Sequence, residues 1–285
     1  MFRFIALLWD PANDRSKHLA EVVQLRLKVA RPTWMPALQH NGAFVSISEC
    51  SDSAGSVSLT HNRGVILGTI FLNDDAASAL RPIAGALNDD EATAILNSRG
   101  RRLIEKYWGH YVAIAHERVS HETWVLRGPM APLACFYSKL EDAMLCFSSV
   151  EDCVALGLQR FSINWDIIRA QAAHRDYLNH ETAINEIREL LPGECIRVAQ
   201  GRLTSTSTYW TPASVAKLPP IEFFDAASAA LRSSTQRSVW SWGAAHSSAL
   251  VKLSGGLDSS VVLGCLTQAP SRPRIVAVNH FSRQS

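Results

Sequence analysis

The chain has 285 residues, of which 47% are hydrophobic and 19% charged, and this balance excludes a disordered or fibrous protein. Its 28 basic and 26 acidic residues leave a formal net charge of +2, so no broad surface for nucleic acid or an anionic membrane is expected. Apolar runs are too short for a membrane helix or a signal peptide. We therefore expect a soluble, cytoplasmic protein of two domains or one large one.

Strands joined by turns rich in Gly, Pro and Asn dominate the first 210 residues. The predicted strands cover residues 64–71, 111–116, 123–126, 143–147, 194–199 and 202–210. A glycine inside the run 64–71 indicates a bulge or a close backbone approach. The segments 111–116 and 123–126 are predicted to form a hairpin, and Gln200-Gly201 is a strong turn signal for a second one.

Helices interrupt this pattern at three places. Residues 91–107 have a helical composition with a break at 98–100, and Asn164 and Thr182 are candidate N-caps of two shorter helices. Runs of strands with helices segregated between them favour an α+β sandwich for residues 1–210.

The composition changes after this region. Residues 211–220 contain three prolines and are predicted to be a linker. A helix is predicted over 221–240, with Phe223, Phe224, Ala227 and Leu231 on one face. The segments 249–253, 259–267 and 275–278 then predict strand, helix and strand, a βαβ unit with parallel strands.

The turn between the first strand and the helix of this unit is Ser254-Gly-Gly-Leu-Asp-Ser-Ser260. Its two glycines let the backbone form a concave nest of N–H donors, to which the helix N-terminus and the serine hydroxyls add further donors for phosphate. Asp258 would repel phosphate unless a cation lay between them, so it is a candidate magnesium ligand. An ordinary turn without a ligand would explain one Gly-Gly pair, but it explains these seven residues less well.

The heptad resembles the PP-motif of the N-type ATP pyrophosphatases and is most similar to that of the asparagine synthetase and β-lactam synthetase group. In that family the loop holds the pyrophosphate of ATP, a carboxylate is adenylated with release of pyrophosphate, and an amine attacks the acyl-adenylate. The resemblance implies ATP and Mg²⁺ as cofactors, with Asp258 as the metal ligand. The residues that it assigns to ATP are Leu253, Ser254, Gly255, Gly256, Asp258, Ser259, Ser260 and Val278, with Leu253 and Val278 lining the adenine through their main chain.

The preceding region resembles the glutamine-hydrolysing domain of asparagine synthetases, which is an Ntn-type αββα sandwich. Three segments carry this similarity: Arg127-Gly-Pro-Met-Ala-Pro-Leu-Ala-Cys-Phe-Tyr137, Phe147-Ser-Ser-Val-Glu-Asp152 and Leu190-Leu-Pro-Gly-Glu194. The resemblance implies an amidotransferase-like domain over 1–210, a linker over 211–220 and an incomplete α/β parallel-sheet ATP-binding domain over 221–285.

Two departures from the family pattern concern glutamine hydrolysis. Phe2 stands where the family has its nucleophilic cysteine, and Leu67-Gly-Thr-Ile-Phe71 replaces the stretch with the oxyanion-hole asparagine. We therefore expect an inactive amidotransferase domain, and the catalytic residues of the chain stay unknown.

An inactive domain of this kind is typical of β-lactam synthetases and lasso-peptide cyclases. Residues 108–114, 67–71 and 278–282 are more similar to the cyclases, in which the N-terminal amine of a precursor peptide attacks its activated side-chain carboxylate. The expected substrate is a small-molecule or precursor-peptide carboxylate, and a leader-peptide-binding or protease protein is a candidate partner.

Synthetase domains of this family continue well beyond the PP-motif. We therefore expect the chain alone to be inactive, and residues 221–285 either to fold poorly alone or to dock on residues 1–210 with exposed apolar surface. Two alternatives remain open: an asparagine synthetase that uses ammonia or glutamine, and a non-enzymatic docking module with a vestigial ATP loop.

Six cysteines stand singly along the chain, without CxxC spacing or a histidine at ligand spacing: Cys50, Cys135, Cys146, Cys153, Cys195 and Cys265. This pattern favours buried free thiols over a zinc site or disulfides.

Overall fold

The computed structural model describes residues 2–30, 33–48, 55–74, 80–117, 122–130, 132–174 and 179–279. The chain divides into two units: Met1–Ile70 with Ala84–Pro212, and Phe71–Ile83 with Ala213–Ser285. The predictions for Cys50 and for residues 280–282 concern positions that lie outside the described residues.

One six-stranded antiparallel sheet of the first unit contains the first strand of the chain near its middle. The strand order is β11-β9-β10-β1-β3-β2. The strands are β1 (Phe4–Trp9), β2 (Trp34–His40), β3 (Ala43–Ser48), β9 (Phe136–Leu140), β10 (Ala143–Phe147) and β11 (Arg188–Glu189). On β1, Ala6 lies opposite Cys146 of β10 and Val45 of β3.

A second sheet has seven strands in the order β13-β12-β8-β7-β5-β4-β6. The strands are β4 (Gly55–Leu59), β5 (Gly64–Leu72), β6 (Gly85–Ala86), β7 (Tyr107–His116), β8 (Thr123–Arg127), β12 (Glu194–Ala199) and β13 (Arg202–Thr208). β7 with β8 and β12 with β13 form antiparallel pairs, which confirms both predicted hairpins.

Side-chain alternation along the strands builds the core of the first unit. Phe4, Ala6 and Leu8 face a buried cluster that also contains Val112 and Ile114 of the other sheet. Ile5 and Leu7 point to the opposite face, where α1 (Asp14–Val29) packs on them.

Helices also cover the outer face of the seven-stranded sheet. α2 (Asp89–Asn97) and α3 (Arg101–Lys106) meet at Gly100, whose absent Cβ would touch the side chains of Leu126 and Trp124. The order helix, sheet, sheet, helix confirms the α+β sandwich that the sequence predicts for the first part of the chain.

Several local signals are also confirmed. Gly68 inside β5 has φ +105°, and a Cβ there would lie 2.2 Å from the carbonyl oxygen of His110, so the predicted close backbone approach exists. The side chain of Asn164 accepts a hydrogen bond from Ile167 N at 3.2 Å and caps α5 (Trp165–Ala173). The helical region 91–107 breaks as predicted, with Gly100 at φ +84°.

The prediction of a helix after Thr182 is wrong. The hydroxyl of Thr182 accepts from Ile184 N at 3.1 Å and donates to the carbonyl of Ile187 at 2.9 Å. A threonine hydroxyl that bonds the backbone just ahead of it stabilises a local turn in place of a helix. The segment continues into β11.

The second unit contains the predicted βαβ arrangement. Its elements are α7 (Phe224–Ala244), β14 (Ser248–Leu253), α8 (Leu257–Thr267) and β15 (Arg274–Asn279), and the short helix α6 (Pro212–Val215) precedes them, with its first residue in the first unit. β14 and β15 pair in parallel, which confirms the prediction, while the expected linker contains the short helix α6. The first unit also contains the helix α4 (Val150–Ala155).

Residues Phe71–Ile83 also belong to the second unit, although the sequence predicts a first domain that spans residues 1–210 without interruption. The ring of Phe71 packs edge-on against Trp242 of α7, with 5.1 Å between the ring centroids. This aromatic contact joins sequence-distant segments, which explains why local composition did not reveal it.

Apolar side chains of the second unit remain in solvent. Phe223, Phe224 and Leu231 on and beside α7 are exposed, and so are Leu250 of β14 and Val276 of β15. The exposed apolar surface expected for this region is therefore present. None of the helices in the described part of the chain combines the length and apolarity needed to traverse a bilayer.

The five cysteines within the described residues are buried free thiols, as predicted. Burial raises the pKa of Cys135 to about 12 and that of Cys195 to about 11. Both thiols are therefore protonated at neutral pH and are poor nucleophiles.

Candidate phosphate-binding site

The loop Ser254–Ser260 connects the carboxyl end of β14 to the N-terminus of α8. Gly255 takes φ +82°, and nothing lies within 4 Å of the position where a Cβ would stand. Gly256 is the N-cap of α8 and provides no side-chain hydrogen bond. The first turn of α8 therefore begins without a side-chain cap, next to open space where a ligand can approach the backbone.

Three serine hydroxyls converge on this loop. Ser259 Oγ lies 3.3 Å from Ser254 Oγ and accepts from Ser254 N at 3.3 Å. Ser260 Oγ donates to Gly256 O at 2.9 Å. These contacts hold the loop in a closed local network, and the hydroxyls of Ser254 and Ser259 would rotate to donate to a phosphate oxygen.

The carboxylate of Asp258 lies in the first turn of α8 and is exposed. A negative charge at this end of a helix interacts favourably with the helix dipole. Among the residues that the structure describes, no group of three His, Cys, Asp or Glu side chains is placed to hold a metal ion. Within the loop Ser254–Ser260, Asp258 is the carboxylate that could bind a cation.

Leu253 and Val278 lie near the carboxyl ends of the two parallel strands. Lys252 lies opposite Val278 in the strand register, and Leu253 lies opposite Asn279. The structure thus places the two residues assigned to adenine and the loop assigned to phosphate at the same end of the small sheet. Ligands of open parallel sheets commonly bind outside this end.

The two positions that depart from the amidotransferase pattern lie in the first unit. Phe2 is half-buried against the cluster between the two sheets, and Leu67 is fully buried in that cluster. Both side chains therefore pack as core residues. Neither offers a nucleophile or a hydrogen-bond donor for an oxyanion.

Arg127 has a structural role that its place in a family-like segment did not predict. Its guanidinium is buried, donates to Glu189 Oε1 at 2.7 Å, and also donates to Leu190 O at 2.7 Å and Leu133 O at 3.0 Å. These bonds satisfy a buried charge and fix two loops of the first unit. A charged residue directly after the apolar run 124–126 was the available signal.

Comparisons with known proteins give little information about the family or the activity of this chain. No protein-family model and no curated protein matches it. It is similar to a solved structure of glutamine phosphoribosylpyrophosphate (PRPP) amidotransferase from B. subtilis complexed with ADP and GMP, at 12% identity and a TM-score of 0.37, over 95% of this chain and 65% of that one.

A structure of the allosteric regulatory enzyme of purine biosynthesis is similar at 12% identity and a TM-score of 0.36, over 99% of this chain and 61% of that one. The chain therefore spans less than two thirds of the length of either solved chain. Similarities this distant assign neither a family nor an activity.

Proposed function

We propose that the loop Ser254–Ser260 binds the pyrophosphate of ATP, and that the chain is part of an ATP-dependent ligase that forms amide bonds. The observation that carries the proposal is the loop itself. It combines a left-handed glycine, an uncapped helix N-terminus and clustered hydroxyls at the carboxyl end of a parallel strand pair. Adenine would lie against the main chain at Leu253 and Val278.

Mg²⁺ fits this arrangement through Asp258. Magnesium commonly binds proteins through one or two carboxylates and completes its coordination with phosphate oxygens and water. The exposed carboxylate of Asp258 beside a phosphate-binding loop meets that requirement. A bound Mg²⁺ ion would neutralise the charge that develops on the pyrophosphate leaving group.

In the proposed reaction, a substrate carboxylate oxygen attacks the α-phosphorus of ATP, and the bond to pyrophosphate breaks. An amine then attacks the acyl-adenylate, and AMP leaves. We propose a peptide whose own N-terminal amine closes a macrolactam as the substrate, in keeping with the lasso-peptide cyclase resemblance. The first unit then serves as an amidotransferase-like sandwich without glutamine hydrolysis, because Phe2 and Leu67 pack in its core.

Binding of Mg·ATP tests the phosphate site directly. Isothermal titration calorimetry on the full chain should detect binding that requires Mg²⁺ and weakens at least about tenfold in Asp258→Asn. Asp225 provides a matched control, because it is also an exposed aspartate in the first turn of a helix of the same unit. Asp225→Asn should bind as the unaltered chain does.

Equal effects of the two substitutions, or no ATP binding by the chain, would refute the phosphate site and leave the docking module as the better reading. The substrate class needs a separate measurement. Fluorescence anisotropy should detect binding of a peptide with a free N-terminal amine and an acidic side chain, and excess aspartate should not displace it. Displacement by aspartate would favour the asparagine synthetase alternative.

A further inference from the structure

A cavity of about 610 Å³ lies in the first unit, at one end of its two sheets. Strand ends and turns of both sheets line this sheet-end cavity, among them Asp10, Pro11, His40, Asn41, His116 and Gln200. Phe2, which stands in place of the family nucleophile, lies just before the opposite end of β1. The cavity is therefore distinct from the position of glutamine hydrolysis. It also shares no residue with the phosphate-binding loop, which belongs to the second unit.

Strand alternation aims two histidines at this end of the space between the sheets. Leu38 of β2 and Ile114 of β7 both face the buried cluster that the sheets enclose. His40 and His116 follow two residues later, at the last positions of the same strands, so their side chains point to the same side. Their rings contact each other with 4.5 Å between the centroids. Both residues are half-buried, so the ring pair closes the core and remains accessible from the cavity.

Hydrogen bonding determines what the ring of His40 offers to a ligand. Its Nδ1 lies 2.9 Å from the carbonyl oxygen of Asn41. A carbonyl oxygen only accepts, so Nδ1 is the nitrogen that carries the proton, and Nε2 of the neutral ring is an acceptor. No side chain or backbone group in the described ranges donates to this Nε2. A ligand with an N–H or O–H donor therefore finds an acceptor at His40.

The charge of the lining decides what kind of donor fits. Asp10 is the one Asp, Glu, Lys or Arg among the described residues that line the cavity, and it is half-buried. Its Oδ1 accepts from Ala12 N at 2.9 Å, and no described cation forms an ion pair with it. Asp142, whose carbonyl lies against Gly201 of the lining, is instead paired with Arg202 at 3.3 Å. An anionic ligand would therefore be repelled, whereas a cation would be attracted.

The volume and the remaining lining define the body of the ligand. Small-molecule sites commonly measure about 300–1,000 Å³, and this cavity lies within that range. Trp9 and Pro11 are half-buried in the lining and supply apolar surface, and the histidine rings offer a partner for an aromatic ring. An ammonium group carries three N–H donors, which match the two acceptors at Asp10 and His40.

We propose that the sheet-end cavity binds a small organic cation, an amine on an aromatic or apolar body, with the carboxylate of Asp10 as its counter-charge and His40 Nε2 as an acceptor for its N–H. The site is independent of the proposed ATP reaction, so its ligand is a further small molecule for this protein.

Phenethylamine, 2-phenylethanol and phenylacetate form a matched set of probes, because they share a ring and a two-carbon chain and differ in charge. Calorimetric titration of the full chain at neutral pH should give phenethylamine a Kd at least about fivefold lower than that of 2-phenylethanol. Phenylacetate should be the weakest of the three. Equal affinities for the three probes, or no binding of phenethylamine, would overturn the proposal.

Asp10→Asn tests the counter-charge, because the amide oxygen can still accept from Ala12 N while the charge is lost. The preference for phenethylamine over 2-phenylethanol should then disappear. Asp14 supplies the control, since it is an exposed aspartate in the first turn of α1 and lies outside the cavity lining. Asp14→Asn should leave the preference unchanged. Equal losses in the two variants would indicate a general attraction to the surface and contradict the site.

His40→Phe tests the acceptor, because it keeps a ring beside His116 and removes Nε2. It should weaken phenethylamine and 2-phenylethanol at least about threefold, whereas His18→Phe, on the exposed side of α1, should weaken neither. Chemical-shift mapping on the unaltered chain needs no variant and decides if a substitution prevents folding. Phenethylamine should shift the ring protons of His40 and leave those of His18 in place. Unmoved His40 resonances at saturating phenethylamine would overturn the proposal.

Discussion

The central strands of the first unit, such as β1 and β10, bury both of their faces, whereas the parallel strand pair of the second unit keeps much of its apolar surface in solvent. Leu8 of β1 is 1% exposed, and Leu250 of β14 is 72% exposed. Parallel strands are normally covered by helices on both faces, and here one helix connects the pair. The same residue type in the same kind of element therefore contributes very differently to stability in the two units.

The two units also differ in where their charged groups lie. The first unit holds its buried charges in hydrogen-bonded pairs, such as Arg127 with Glu189. The second unit places its polar groups, Asp258 among them, on an exposed loop above a thinly covered sheet. Ligand-binding segments are commonly drawn from less stable parts of a fold, and the second unit has that character.

Truncation of one leucine in each unit gives the largest expected effect. Leu8→Ala should lower the free energy of unfolding by about 2–5 kcal/mol, because it leaves a cavity between two sheets. Leu250→Ala should change it by less than about 0.5 kcal/mol, because the side chain is already in solvent. Urea unfolding followed by far-UV circular dichroism measures both. A large loss for Leu250→Ala would show that another surface covers β14 in solution.

A smaller effect on the free energy of unfolding is expected when a carboxylate is neutralised in each unit. Glu91 of the first unit is paired with two cations, and Asp258 of the second unit is exposed. Burial alone would raise the pKa of Glu91, but the hydrogen bonds and charges of Arg102 and Lys106 lower it to about 2. Because the folded-state pKa lies below the ordinary value, the stabilisation is complete above about pH 4.5 and is lost as the pH falls toward 2.

Glu91→Gln should cost about 1–2 kcal/mol at neutral pH, a figure reduced by the solvent around Arg102 and Lys106, which are more than a third exposed. Asp258→Asn should cost less than about 0.5 kcal/mol. Urea unfolding at pH 7 and at pH 3 tests both substitutions. A loss for Glu91→Gln that is as large at pH 3 as at pH 7 would contradict the ionic origin of the stabilisation.

The strands that the sequence predicted correctly are those whose signals lie in neighbouring residues. Hairpins around Gln200 and Gly201 need only turn chemistry and alternation, and the βαβ unit needs only short apolar runs between breakers. By contrast, α1 was not predicted, because its buried face contains small residues such as Ser16 and Ala20 and so lacks strong apolar periodicity. β2 was missed because it contains Pro36, which an edge strand tolerates.

The candidate sites divide in the same way. The loop Ser254–Ser260 is continuous in sequence, so its composition alone indicates phosphate chemistry. The ion pair between Arg3 and Asp152, by contrast, joins residues that lie 149 positions apart along the chain. No local pattern reports such a pairing, and a short acidic stretch such as Glu151-Asp152 is ordinary on a protein surface.

Helix capping gives the smallest expected effect. Here a substitution in the second unit should stabilise the chain, whereas the substitutions above destabilise it. Asn13, Asn88 and Asn164 cap helices of the first unit with their side chains. The N-cap residue of α7 in the second unit is Phe223, which is 75% exposed and makes no side-chain capping hydrogen bond. Phe223→Asp should therefore stabilise the chain by about 0.5–1 kcal/mol, because a carboxylate there accepts from the first-turn N–H groups and favours the helix dipole.

Asn164→Ala removes an existing N-cap and should lower the free energy of unfolding by about 1 kcal/mol. Thermal unfolding of the two variants should shift the melting temperature in opposite directions. If Phe223→Asp instead destabilises the chain, the phenyl ring must be covered in solution, because an exposed ring at an N-cap contributes less than a carboxylate at that position. The same result would then predict a cost for Leu250→Ala, so the two measurements together decide whether the apolar face of the second unit is open.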